Sequence, residues 1–238
     1  MKAFLLAAGL GTRLRPLTDS TPKCLVEICG KPLLAWWIEF FEKYNIEQVL
    51  INLHHLPGKV TRFLESYDTQ IKFTYFFEEK LIGSAGTLRE NKDFVKNEND
   101  FFVCYADNLT NYNLQEFYDF HKNKNSSSSI ALFETGTPKS KGIIQLDQDD
   151  RIISFEEKPV VPKSNLANAG IYIFKPSILE LIPNNDLTDI GFHLLPQLIN
   201  KSFGWKSDDY LIDIGTFDDL SKAETDWLNI INGVHHDI

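Results

Sequence analysis

The sequence is poor in cysteine. Of its 238 residues only three are Cys, at positions 24, 29 and 104, and no two have C-x-x-C spacing. An odd, unpatterned set speaks against a disulfide framework and a zinc site, and fits reduced thiols in a cytoplasm. Long apolar runs are missing, so nothing approaches the length of a membrane span. The apolar stretch after Met1-Lys2 breaks at Arg13 and Arg15, too soon for a secretory signal. Positive charge is scarce as well: 24 Lys and Arg against 33 Asp and Glu leave a formal net charge of -9. A nucleic-acid partner, which needs a basic face, is not expected. The P-loop pattern G-x-x-x-x-G-K-[ST] does not occur. A dinucleotide fingerprint lacks its third glycine, because Leu14 stands there, and Pro16 opposes an immediate helix. A dinucleotide-dependent oxidoreductase therefore finds little support. Nor is there a persuasive Ser/His/Asp or Cys/His set for nucleophilic catalysis.

What is present is ordinary globular composition, 43% hydrophobic and 24% charged, and length enough for one sizeable α/β domain. Phe4 to Ala8 reads as a buried parallel strand. A loop follows with Gly9 and Gly11, then Arg13 and Arg15. Glycines there let the backbone approach an anion closely, and the arginines add charge-assisted contacts. Pro16 and Pro22 restrict the loop, and Lys23 is positioned to fold back on the same phosphates. This stretch predicts a polyphosphate site.

Leu33 to Tyr44 reads as an amphipathic helix, Glu47 to Leu53 as a strand, Leu56 to Tyr67 as a helix and Ile71 to Phe76 as a strand. Such β-α-β-α-β alternation predicts a parallel sheet with right-handed crossovers, and a ligand at the carboxyl ends of its strands. His54 and His55, after the second strand, read as capping or packing residues. Gly83 to Gly86 read as a turn into a short helix. Phe101 to Tyr105 is a strand that delivers Asp107 to its carboxyl end, where it suits either a metal ion or a cap. A helix is expected over Asn113 to Lys122, and a surface loop over the polar run Lys122 to Ser129. Ile130 to Phe133, Gly142 to Leu146 and Ile152 to Phe155 are strand candidates, so the second half is richer in β-structure. Gly191 to Ile199 reads as a helix broken or bounded at Pro196. Tyr210 to Ile214 carries Asp213 to a strand end, as a metal ligand or as a cap for the last helix, Phe217 to Ile231. His235 and His236 read as frayed surface.

Residues Gly9 to Thr18 (GLGTRLRPLT), followed by Pro22-Lys23, resemble the signature of the sugar-1-phosphate nucleotidyltransferases, the nucleotide-sugar pyrophosphorylases. Ala106-Asp107, Glu156-Glu157-Lys158-Pro159, Asn168-Ala169-Gly170 and Asp213-Ile214-Gly215 resemble later motifs of that family, in family order. The resemblance implies an α/β fold: a Rossmann-like mixed, mostly parallel sheet flanked by helices, with a nucleotide-binding half over 1–125 and a β-rich sugar-binding half over 126–238. It implies one domain, without the C-terminal β-helix that many members carry. The implied reaction joins an NTP and a sugar 1-phosphate to give an NDP-sugar and pyrophosphate, with Mg²⁺ held by Asp107 and Asp213. Ala8, Gly9, Gly11, Thr12, Arg13 and Lys23 would bind the triphosphate, and Gly83, Ser84, Ala85 and Gly86 the base. Arg13, Lys23, Asp107 and Asp213 would be the catalytic set. Gly142, Glu157, Lys158 and Asn168 would bind the sugar phosphate. The Gly9 loop and the 83–86 segment are closest to the mannose- and heptose-1-phosphate guanylyltransferases. A thymidylyl- or uridylyltransferase is the alternative, and a catalytically silent nucleotide- or sugar-phosphate-binding regulator is the alternative of another class. A cytoplasmic monomer or homodimer is expected.

Overall fold

Alternation within the first strand sets the layers of the molecule, seen in a computed structural model that describes residues 1–233. The pair His235–His236 lies outside the described residues. Strand β1 (Lys2–Leu6) sends Ala3 and Leu5 into one core cluster and Phe4 and Leu6 into another. Successive side chains of a strand point to opposite faces, so a strand apolar at every position is buried on both.

The chain continues through α1 (Leu17–Ser20), a small hairpin of β2 (Glu27–Ile28) and β3 (Lys31–Pro32), α2 (Leu33–Lys43), β4 (Gln48–Leu53), α3 (Pro57–Ser66), β5 (Lys72–Phe77) and α4 (Ser84–Glu90). Then come β6 (Phe101–Tyr105), β7 (Asn108–Thr110), α5 (Leu114–Asn123), β8 (Ser128–Glu134), β9 (Gly142–Leu146), β10 (Ile152–Glu157) and β11 (Leu166–Phe174). Strands β12 (Phe203–Lys206) and β13 (Leu211–Asp213) precede α6 (Phe217–Ile231). The main sheet has the order β10-β9-β11-β6-β1-β4-β5, with β8 beside β11 and β12 beside β8. It is parallel through β6-β1-β4-β5 and antiparallel where β11 meets β6, β8 and β9. The expected Rossmann-like mixed sheet is present, and one sheet runs through both halves of the chain.

Helices α2, α3, α5 and α6 cover one face through Leu34, Trp37, Phe41, Leu64, Phe117 and Trp227. Helix α4 and the turns over 176–198 cover the other. Each large apolar side chain so buried contributes about 1.5–3 kcal/mol, so the sheet and its two helical layers hold the fold and the loops ride on them.

Two expectations need correction. The first strand ends at Leu6, not Ala8, because the Ala7 N–H turns out of the ladder to donate to Asn52 Oδ1 at 2.6 Å. The polar run 122–129 is not wholly a surface loop: Ser128 and Ser129 open β8, and Ser126, Ser128 and Ser129 are buried. Ser126 Oγ donates to the Ser128 carbonyl and accepts the Ser128 N–H, closing a tight turn. Ser129 Oγ bonds His121 Nδ1 at 2.8 Å, and His121 Nε2 bonds Asp100 Oδ1 at 3.1 Å. This Ser–His–Asp chain has the order of a hydrolytic triad, but its members are at most 3% exposed, so no substrate reaches the serine. Burial holds the His121 pKa below its ordinary value, leaving a neutral ring that ties α5 to β8 and to the start of β6.

Candidate active site

The loop after β1 is shaped by local contacts. Gly11 has φ +62°, and a Cβ there would come 2.9 Å from Thr18 Cγ2. Buried Thr18 donates to the Gly11 carbonyl at 2.8 Å, and its own carbonyl pairs with His55 Nε2 at 2.7 Å. His54 Nδ1 lies 2.7 Å from the Glu78 carbonyl, so both histidines brace loops, as expected. Thr12–Leu14 form one 3-10 turn, and Lys23–Leu25 form another directly after Pro22.

That second turn sends Lys23 back to the sheet. Its Nζ lies 2.7 Å from Asp107 Oδ2 and 3.0 Å from Asp213 Oδ1. Asp107 follows β6. Asp213 ends β13, which pairs antiparallel with β7 in the register Asp213↔Asn108, and the Ile214 N–H donates to the Asp107 carbonyl. Burial alone would lower the Lys23 pKa, but the two carboxylates outweigh it and hold it above its ordinary value. The ammonium is therefore a cation standing between two hard oxygen donors. Such a pair fits a divalent metal ion that takes its remaining ligands from phosphate and water.

On one side of this group lies a cavity of about 310 Å³, lined by Ala8, Gly9, Lys23, Gly83, Ser84 and Asp107 among others. Its floor is a buried polar network that the sequence reading did not single out. Glu78, at the end of β5, accepts from Asn52 Nδ2 at 2.8 Å, Thr87 Oγ1 at 2.6 Å and the Ile82 N–H at 3.1 Å. Asn52 also holds the Ala7 N–H, so one network fastens the β1 loop to the 82–87 segment. A lone Asn in the apolar run of β4 was the available signal. The 83–86 segment is more deeply bound than expected. The Ala85 and Gly86 N–H groups both donate to the Thr188 carbonyl at 2.9 Å, so only Gly83 and Ser84 face the cavity. Gly83 has φ +82°, and a Cβ there would overlap the Thr188 carbonyl.

On the other side lies a larger cavity of about 660 Å³, which gathers Gly142, Glu157, Lys158 and Asn168 together with Arg13 and Asp213. Asp107 and Tyr105 border both cavities. Arg13 lines this second cavity, not the first, with its guanidinium against Gly215, where a Cβ would come 2.8 Å from Nη2. Gly11 and Thr12 shape the loop's turn and line neither cavity. Glu157 ends β10 opposite Gly142. Burial pushes its carboxyl above the usual range; Lys158 and Lys141 pull it back, and Asp189 adds to the rise. Cβ atoms at Gly142 and Gly191 would come 2.6 and 2.8 Å from Glu157 Oε2, so both glycines make room for this side chain. Asn168 is occupied locally: its Nδ2 donates to the Tyr172 hydroxyl and its Oδ1 accepts the Gly170 N–H. It shapes the irregularity of β11 beside the cavity.

Asp189, also absent from the sequence reading, joins the two cavities. Ser84 Oγ donates to its Oδ2 at 2.7 Å, while its Oδ1 accepts the Gly191 N–H at 2.8 Å. Lys141 was missed as well, and it lines the second cavity from the residue before Gly142. Among the described residues no cluster of three or more His, Cys, Asp or Glu could hold a metal, and no helix is long and apolar enough to cross a membrane. Cys24 and Cys104 are buried thiols, and burial pushes Cys24 up to about 12.

Comparison with known proteins agrees with this geometry. The nucleotidyl transferase family matches residues 2–229. The catalytic subunit beta of mannose-1-phosphate guanylyltransferase from Dictyostelium discoideum is 31% identical over 234 residues, covering 96% of this chain and 65% of that protein. Mannose-1-phosphate guanylyltransferase 1 of Arabidopsis thaliana is 35% identical over 187 residues, covering 76% and 52%. A UTP--glucose-1-phosphate uridylyltransferase from Synechocystis is 30% identical over 247 residues, covering 94% and 62%. The chain thus spans between about half and two thirds of the length of these curated relatives. Among solved structures, a Bacillus anthracis protein described as a glucose-1-phosphate thymidylyltransferase, in complex with sucrose, superposes with a TM-score of 0.85 at 26% identity, covering 94% of each chain. HddC from Yersinia pseudotuberculosis, complexed with GMP-PN, shares the fold at a TM-score of 0.80 and 23% identity, covering 95% of this chain and 99% of its own. Two cavities that share Asp107 as a border, with Asp213 close beside it, and a family match along nearly the whole chain lead to one conclusion: the chain belongs to the nucleotidyl transferase family.

Proposed function

We propose that this chain joins an NTP and a sugar 1-phosphate into an NDP-sugar, releasing pyrophosphate. The observation that carries the reading is the septum of Asp107, Asp213 and Lys23 between two cavities of different chemistry. The nucleotide occupies the smaller cavity, with its base on Gly83 and Ser84 and its phosphates toward Ala8, Gly9 and Lys23. The sugar occupies the larger one, with its hydroxyls on Glu157 and its phosphate toward Lys158. Gly142 and Asn168 shape that pocket. Arg13 reaches the septum from the sugar side and stabilises charge on the reacting phosphates.

A sugar-phosphate oxygen attacks the α-phosphorus as pyrophosphate departs in line. A phosphate monoester with a second pKa of about 6 is already largely ionised at neutral pH, so no general base is needed. Catalysis then rests on positioning and on charge neutralisation. Members of this family generally use a divalent metal. Mg²⁺ on Asp107 and Asp213 would supply neutralisation of charge on the phosphate oxygens when bound. Lys23 would then move from the aspartates to the departing phosphates.

GTP with a mannose- or heptose-type 1-phosphate is the preferred pair, supported by the guanylyltransferases among the relatives. The uridylyltransferase relative favours the second reading, UTP or dTTP with another sugar 1-phosphate. The nine-stranded sheet that runs through both halves of the chain supports one domain with a nucleotide half and a sugar half; action in the cytoplasm as a monomer or homodimer rests on the family resemblance alone.

The test is pyrophosphate release with Mg²⁺ across a grid of NTPs and sugar 1-phosphates. One strong combination is expected. Asp213→Asn should reduce it by about 10³-fold, the equivalent of several kcal/mol of charge stabilisation. Nucleotide binding without turnover in any combination would instead identify a silent regulator.

A further inference from the structure

Asp213 faces a different ammonium with each oxygen. Oδ1 takes Lys23 at 3.0 Å, and Oδ2 faces Lys141 Nζ at 3.9 Å. The two contacts differ in kind. Lys23 is hydrogen-bonded and lines the first cavity, whereas Lys141 is too far for a hydrogen bond and lines the second. Among the described residues the Lys141 ammonium makes no hydrogen bond to protein.

The backbone beneath Lys141 is held firmly. Its carbonyl accepts the Lys158 N–H at 3.0 Å. The next residue, Gly142, pairs with Glu157 and has no room for a Cβ. A pinned backbone thus carries a side chain whose three donors point into a polar cavity with only a loose ion pair to satisfy them. A phosphate dianion offers such an ammonium shorter, charge-assisted bonds than a carboxylate at 3.9 Å. Lys141 is also dispensable to its resting partner, because Asp213 keeps Lys23.

We propose that Lys141 is a second phosphate ligand for the sugar substrate, released from Asp213 to grip the sugar phosphate beside Lys158. This rests on the function proposed above. It divides the two lysines that flank Asp213 between the substrates, Lys23 to the nucleotide and Lys141 to the sugar phosphate.

The test is calorimetric titration of mannose 1-phosphate, glucose 1-phosphate and free mannose into wild type, Lys141→Met and Lys141→Arg, alongside steady-state kinetics. Lys141→Met should weaken the sugar 1-phosphate by roughly 10-fold or more, as expected for loss of a charged hydrogen bond. Free mannose and the KM for nucleotide should be unchanged, and Lys141→Arg should recover part of the loss. Equal weakening of mannose and its 1-phosphate would mark Lys141 as structural and overturn the inference. So would a Lys141→Met protein that binds the sugar 1-phosphate as tightly as wild type while wild type turns it over; the proposed function would then stand. A wild type that neither binds nor consumes any sugar 1-phosphate overturns the proposed function, and the inference with it.

Discussion

The two cavities share a wall but are built by different physics. The smaller one is walled by Leu6, Ala7, Ala8, Leu81 and Leu187 and held by a neutral-donor network, Asn52–Glu78–Thr87. Its shape depends on close backbone approach, as at Gly83 against Thr188. The larger one is walled by charge: Arg13, Lys141 and Lys158 face Asp213, Asp189 and Glu157. A flat base needs a fitted slot, whereas a hydroxylated phosphate ester needs donors and acceptors of both signs. Steric changes should therefore damage the first cavity, and changes of charge or pH the second.

Gly83→Ala should have the largest effect on stability. Positive φ and overlap with the Thr188 carbonyl together should destabilise the protein by about 2–4 kcal/mol, read by urea denaturation. Nucleotide affinity should fall with it. If the variant were as stable as wild type, the tight seam between 83–86 and 188 would not be a constraint.

Asn52→Ala comes next. It removes a donor from buried Glu78 and the acceptor of the Ala7 N–H, for about 1–3 kcal/mol by thermal melting. The KM for NTP should rise while that for sugar phosphate holds. Equal changes in both would dissolve the distinction between the cavities.

Glu157→Gln should have the smallest effect on stability, and with the opposite sign. Because the folded pKa of Glu157 is raised, the stability contributed by its neutral form is full below the ordinary carboxylate value and is lost as pH rises through the folded one. The variant should therefore melt slightly higher than wild type at pH 7, and the gap should close below a pH of about 4.3, the unperturbed glutamate pKa. Its affinity for sugar 1-phosphate should nonetheless fall. On acidification both proteins should lose affinity as the sugar phosphate, with its second pKa of about 6, takes up a proton; wild type should show an additional loss as Glu157 protonates, and the variant should lack that part. A variant less stable than wild type at pH 7 would show that the lysine pairs outweigh burial.

Much of this was written locally. The β-α-β pattern, the Gly11 turn and the run Phe217–Ile231 followed from periodicity, glycine and capping chemistry, because each depends on residues a few positions apart. The same signals led to Asp107 and Asp213 as candidates, the first just beyond the apolar strand β6 and the second at the end of β13. The serines at 126–129 misled because polarity usually means solvent, yet inside the protein the Ser129 hydroxyl pairs with His121 and the Ser126 hydroxyl with the Ser128 backbone.

By itself, then, the sequence determined the main helices and strands and their alternation, and it pointed to a polyphosphate at the first loop. Only the tertiary structure decided that Lys23 stands between Asp107 and Asp213, partners 84 and 190 residues away. It alone put Arg13 in the larger cavity, drew Asn52 and Glu78 under the smaller one, and set Lys141 opposite Lys23 across Asp213. Contacts between residues so distant in the chain are made by sheet order and strand register, and these leave no trace in the spacing of neighbouring residues.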